Sequence, residues 1–229
     1  MIKDDKDEID KKLQGAGVKF LPFVGDNYEQ GISFDEEGKL VLEGQGKKVL
    51  VLGESHYCDE ELSDEELSSF TRDVLDCYLN SEERYSWMRT FVKFERALSN
   101  TVTNFEDRNS IWNHLMFYNY LQRPLRGTRM AGDSEDYEEA KDPFFAILEQ
   151  YQPDCIIVWG RRLFENLPNG KEGKYMPIIG GNSWIYRINA KQSISVLSVA
   201  HPSVGFSWRY WHEVIVDFFK VNSNETNYF

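Results

Sequence analysis

The chain has 229 residues, 41% of them hydrophobic and 14% aromatic, and a formal net charge of −12. That length suits one domain over 1–229 with a full core, and no apolar run is long enough to span a membrane. An acidic balance of this size argues against generic binding to nucleic-acid phosphates.

The start, "MIKDDKDEIDKKLQG", lacks the apolar segment of a signal peptide. Residues 1–16 read as a charged leader, frayed or weakly helical, and 222–229 as a flexible tail. Cys58, Cys77 and Cys155 are scattered without a CxxC pair. A structural zinc site or four-cysteine cluster is therefore not expected, and a reducing cytoplasm fits. No metal, cofactor or membrane partner is expected, and a monomer is.

In chain order, "VLVL" (49–52) reads as a strand buried on both faces and runs directly into Gly53-Glu54-Ser55-His56-Tyr57. Ser63 and Glu66 form a capping box for a helix with Leu67, Phe70, Val74, Cys77 and Tyr78 on one face. Trp87, Phe91, Phe94 and Leu98 continue the pattern in a second helix. A third is expected near Asn109 or Ser110.

"LMFYN" (115–119) reads as a further strand. Residues 133–151 are helical, with Pro143 marking a kink or a fresh start. "CIIVW" (155–159) and "SVLSVA" (195–200) are apolar strands, "SWIYRI" (183–188) alternates as an extra one, and a last helix runs from about Trp208 to Val221. Buried strands separated by helices predict a three-layer α/β/α sandwich around a central, mostly parallel four-stranded sheet.

Open parallel sheets bind ligands at the carboxyl ends of their strands. Three such ends carry unusual chemistry: "GESHY", then Asn119 followed by Gln122-Arg123-Pro124, then His201-Pro202-Ser203. This ordered set, over roughly residues 47–220, resembles the uracil-DNA glycosylase superfamily. There a first strand ends in GQDPYH or GE-x-P-G, a middle strand in a base-reading Asn, and the last strand in HPS.

The resemblance implies a DNA glycosylase that removes uracil or a related damaged base without a metal. Glu54 takes the carboxylate role, stabilising the sugar cation or orienting water. His201 donates to the departing base anion, where a donor helps the transition state most. Ser55 stands where the best-known motif has its catalytic Asp, and His56 where both patterns have Pro; each is a candidate participant. Asn119 reads the base edge, since one amide both donates and accepts. Tyr57 crowds out thymine's methyl group, and Phe23 of "LPFVG" stacks on the base. Ser203, Phe206 and Arg123 are expected to contact DNA, with Phe206 or Trp208 as a wedge.

Plainer readings stand beside these. His201 also reads as a strand-end cap, Asn119 as a turn residue, Glu54 as an exposed acid and Tyr57 as a roof over the core. "LGESH" also resembles the GExH segment of erythromycin-esterase-like and metal-binding hydrolases, where Glu54 and His56 would act with a distant His. Ser55 and the acidic charge fit a catalytically weakened nucleic-acid- or partner-binding relative as well. His114 and His212 read as structural or solvated.

Overall fold

The computed structural model describes residues 3–127, 130–168, 182–189, 192–203 and 205–224. The charged start forms α1 (Lys3–Gly15) and is docked rather than loose. Leu13 is buried in the core, and Arg72 forks onto Asp10 at 2.6 and 2.7 Å. Leu13, the partly buried Ile9 and one bidentate pair give this helix a binding face that composition alone hides. Three two-residue strands follow: β1 (Phe23–Val24), β2 (Ser33–Phe34) and β3 (Leu40–Val41).

The first apolar run is β4 (Val49–Gly53), buried throughout. It leads to α2 (Asp64–Asn80), whose Ser63 Oγ accepts the Glu66 N–H while the Glu66 carboxylate accepts the Ser63 N–H. Next comes α3 (Met88–Ser99). The following helix, α4 (Phe105–Trp112), starts ahead of the expected Asn109 because Asn104 and Asp107 make a second capping box.

After β5 (Leu115–Asn119), residues 133–151 divide at Ala140 into α5 (Ser134–Glu139) and α6 (Lys141–Tyr151). Pro143 lies in the first turn of α6, where a missing N–H costs nothing. The chain closes with β6 (Cys155–Trp159), α7 (Arg161–Asn166), β7 (Asn182–Asn189), β8 (Gln192–Val199) and α8 (Trp208–Asn224). Residues 222–224, expected in a flexible tail, continue α8, and 225–229 lie outside the described residues.

Among the described residues, six strands form one sheet in the order β1-β5-β4-β6-β8-β7. The inner four run parallel, whereas β1 and β7 close the edges antiparallel. The sheet is therefore six-stranded and mixed, not four-stranded; the α/β class holds. β7 carries the alternating "SWIYRI", but two residues of β1 offer no periodicity to read.

Helices cover both faces. Val49, Val51, Phe117, Ile157 and Leu197 pack with buried residues of α2, α3, α4 and α8. Leu50, Leu52, Met116, Tyr118, Ile156 and Val196 pack with those of α1, α5, α6 and α7. The period of two thus serves two cores at once. Because β4 connects to β5 on one side and β5 crosses to β6 on the other, the chain reverses direction between β4 and β6. The carboxyl ends of those strands flank the crevice position of a doubly wound sheet.

Candidate functional site

The motif loop after β4 is built on main-chain hydrogen bonds to the loop after β5. Tyr120 N–H donates to Gly53 O and Leu121 N–H to Glu54 O, both at 2.9 Å; Leu125 N–H donates to His56 O at 2.8 Å. Cys58 N–H returns a bond to Leu125 O at 3.1 Å. Ser55 adds a side-chain tie, its Oγ lying 2.9 Å from His56 O and 3.0 Å from Arg123 O. With its single proton directed to carbonyls, Ser55 is a fastening of the loop.

Glu54 reaches from this loop across the chain reversal. Arg162 Nε donates to its Oε1 at 2.8 Å, Arg162 Nη2 donates to Oε2, and the Tyr137 hydroxyl donates to Oε1. The Glu54 side chain is only 10% exposed, against 47% for Arg162. A bidentate guanidinium–carboxylate fork fixes orientation as well as charge. Its bond to Glu54 holds the Arg162 guanidinium further above its ordinary pKa. Burial, then the bond to Glu54, raises the Tyr137 phenol. Gly160 makes this possible: at φ 104° it turns the chain out of β6 into α7, a conformation side chains resist.

Asn119 follows the alternation of Leu115 and Phe117, toward the α2 side of the sheet edge, whereas Glu54's partners come from α5 and α7. Its Nδ2 lies 3.1 Å from His56 Nε2, and Thr71 Oγ1 lies 2.8 Å from the same nitrogen. Its Oδ1 sits over Gly53, where any Cβ would collide with it. Glycine at 53 is therefore what leaves room for the amide.

His56 is buried, edge-on to Phe20 at 4.9 Å and Phe70 at 4.5 Å between ring centroids. Burial lowers its pKa to about 3, so the ring is neutral. Its placement makes it a support for Asn119 rather than a catalytic group of its own. Glu54 and His56 take their partners on different layers, α5 and α7 for the carboxylate and α2 for the imidazole. Among the described residues no three His, Cys, Asp or Glu side chains cluster to hold a metal ion.

His201 follows β8 at the exposed rim, its ring edge-on to Trp159 with centroids 6.3 Å apart. Its pKa is lowered by desolvation first, with Arg162 adding to the lowering and Glu54 opposing it. Ser203 N–H turns back to His201 O at 2.6 Å, and Lys93 Nζ donates to Ser203 O. Tyr57 is exposed beside Glu54 and pairs through its backbone with Leu125. Its phenol is raised by burial, then by Glu54, against an opposing effect of Arg162.

Three expected contacts are placed elsewhere. Phe23 lies in edge strand β1, paired with Phe117 and packed on the core, so the ring beside the motif loop is Phe20. Phe206 is 7% exposed and stacks on Trp211 at 6.0 Å, because the start of α8 needs an apolar cover; it is not free to act as a wedge. Arg123 forks onto Asp136, at 2.6 Å through Nη2, so its charge is neutralised within the protein. Lys48 and Arg161 are likewise ion-paired, with Glu29 and Glu165.

Sequence reasoning missed Arg162 and Tyr137 as partners of Glu54. The only available signal was a basic pair directly after a strand-ending glycine. Two surface grooves are lined by Ser33, Phe34, Gln45 and Phe219, and by Leu62, Phe70, Val74 and Trp87; neither includes Glu54, Asn119 or His201. Among the described residues no helix is long and apolar enough to cross a membrane. Comparison with known proteins finds no matching family model and no matching curated protein.

Proposed function

We propose that this protein is a DNA base-excision N-glycosylase of the uracil-DNA glycosylase type, releasing uracil or a related damaged base by metal-independent hydrolysis. The observation that carries this reading is that "GESHY", Asn119 and "HPS" all follow the carboxyl ends of strands in one parallel set, ordered β5-β4-β6-β8. On this reading those four strands are the sheet of a uracil-DNA-glycosylase-like sandwich, with β1 and β7 as additions at its edges.

The residues divide the work as follows. An extruded base offers its pairing edge to Asn119. With one amide hydrogen directed at His56, the second hydrogen and Oδ1 are left to meet uracil's O4 and N3–H. The imidazole of His201 donates to the oxygen on which negative charge develops as the glycosidic bond breaks. The Glu54 carboxylate, its charge balanced by Arg162, orients the attacking water or lies beside the oxocarbenium-like sugar. Tyr57 walls the base side.

A second reading is a relative that binds such DNA without turning it over. It is favoured by Ser55, whose hydroxyl is directed to two carbonyls at the position of the missing Asp. One experiment separates the two. Oligonucleotides carrying uracil, hypoxanthine or a mismatch are incubated with the protein, and released base and retained complex are measured together. Base release supports the enzyme; tight selective binding without release supports the relative; neither defeats both.

A further inference from the structure

A carboxylate has about four acceptor sites, and three donors reach Glu54 from within the protein. Arg162 Nε and the Tyr137 hydroxyl both meet Oε1, while Arg162 Nη2 meets Oε2. The two residues that supply these donors come from afar, 108 and 83 residues along the chain. Arg162 is carried by the first turn of α7 and Tyr137 by α5, on elements packed against the same face of the sheet. Tyr137 is itself nearly buried, and Arg162 is held further by the Met130 carbonyl at 3.3 Å. Nothing in the local fold of "GESHY" needs this arrangement, because the loop is already fastened through its backbone.

We propose that Arg162 and Tyr137 are positioning residues that aim the Glu54 carboxylate, leaving one open acceptor site, on Oε2, to meet the sugar cation or the attacking water. The inference rests on the glycosylase reading for what Glu54 acts upon, though not for the existence of the three-residue unit. It assigns the two residues a part in the chemical step and none in holding DNA. It also explains how a serine at position 55 is tolerated. The anionic group is delivered one residue earlier and aimed by partners from two other elements. Distal elements then do what a local Asp would do by its own position.

The test uses the full chain in single-turnover release of uracil from an oligonucleotide. Affinity is measured in parallel with an oligonucleotide bearing an uncleavable deoxyuridine analogue. Arg162→Met should slow release by about 10²-fold, the cost of a misplaced reacting group, while affinity for the analogue is kept. Tyr137→Phe should slow it less, since the fork remains. Arg162→Gly should regain release on addition of guanidinium ion and not of methylammonium, with affinity for the analogue unchanged throughout.

Release at the wild-type rate by Arg162→Met would overturn the inference. So would melting shifts of Glu54→Gln and Arg162→Met that simply add in the double variant, because an interacting pair must be non-additive. That second measurement needs no activity. If the wild-type protein releases no base, the glycosylase reading falls, and additive or non-additive melting still decides whether Glu54 and Arg162 act as a unit.

Discussion

His56 and Asn119 are joined through a single ring nitrogen: Asn119 Nδ2 lies 3.1 Å from His56 Nε2, which also faces Thr71 Oγ1 at 2.8 Å. A nitrogen so placed acts as the acceptor for the amide when the ring proton sits on Nδ1. The neutral, buried imidazole thereby sets which way the Asn119 amide faces.

The same burial makes the fold acid-sensitive. The unfolded chain binds a proton at His56 near pH 6.5, whereas the folded chain resists it until about pH 3. Between those values the unfolded state holds more protons, so stability rises with pH and falls as pH drops. The loss by pH 5 from His56 is at most about 2 kcal/mol. Urea midpoints measured across this range should fall with pH, and His56→Gln should flatten the slope. An unchanged slope in that variant would remove His56 as its source.

His201→Ala should slow base release by about 10²-fold, comparable to removing one oxyanion donor. Binding of the uncleaved oligonucleotide should change little, because the donor acts where charge develops. Quenched-flow release under single-turnover conditions measures this directly. Wild-type kinetics would reduce His201 to a strand-end residue.

Asn119→Asp replaces a donor with an acceptor at a buried position. Uracil excision should be lost, since a site built on hydrogen bonds rejects a mismatched edge strongly, and weak cytosine excision is the expected gain. The new carboxylate faces His56 and the Gly53 backbone, so stability should fall by about 1–3 kcal/mol. Base release from paired uracil and cytosine substrates, with chemical denaturation alongside, tests both parts. A stable variant that excises uracil as before would contradict the base-reading role.

Arg123→Ala should affect stability and not DNA affinity. It leaves the carboxylate of Asp136, 7% exposed, without its fork. The cost should be about 1–3 kcal/mol, less than for a fully buried pair because Arg123 is half exposed. Denaturant midpoints and oligonucleotide titrations on the folded variant separate the two effects. A selective fall in DNA affinity would restore Arg123 as a DNA contact.

The inner sheet was legible because "VLVL", "LMFYN" and "CIIVW" are short apolar runs without the polar alternation of a half-solvated strand. The motif residues were legible because they follow those runs directly. What escaped were relationships made by tertiary approach. Arg162 looks like any basic residue of a short helix until Gly160 turns it toward Glu54. Phe206 looks available until Trp211 covers it. The docking of α1 depends on Asp10 meeting Arg72, which no local pattern announces. The early start of α4 was readable after all, in the Asn104–Asp107 capping spacing.

The ladder between the Gly53–Cys58 and Tyr120–Leu125 backbones has an evolutionary consequence. Main-chain hydrogen bonds take no account of which side chain a residue carries, provided it is not proline. Substitutions at Glu54 or Tyr57 can therefore alter the reacting surface while the loop keeps its course. A scaffold of this kind lets the chemistry of the loop change independently of its folding.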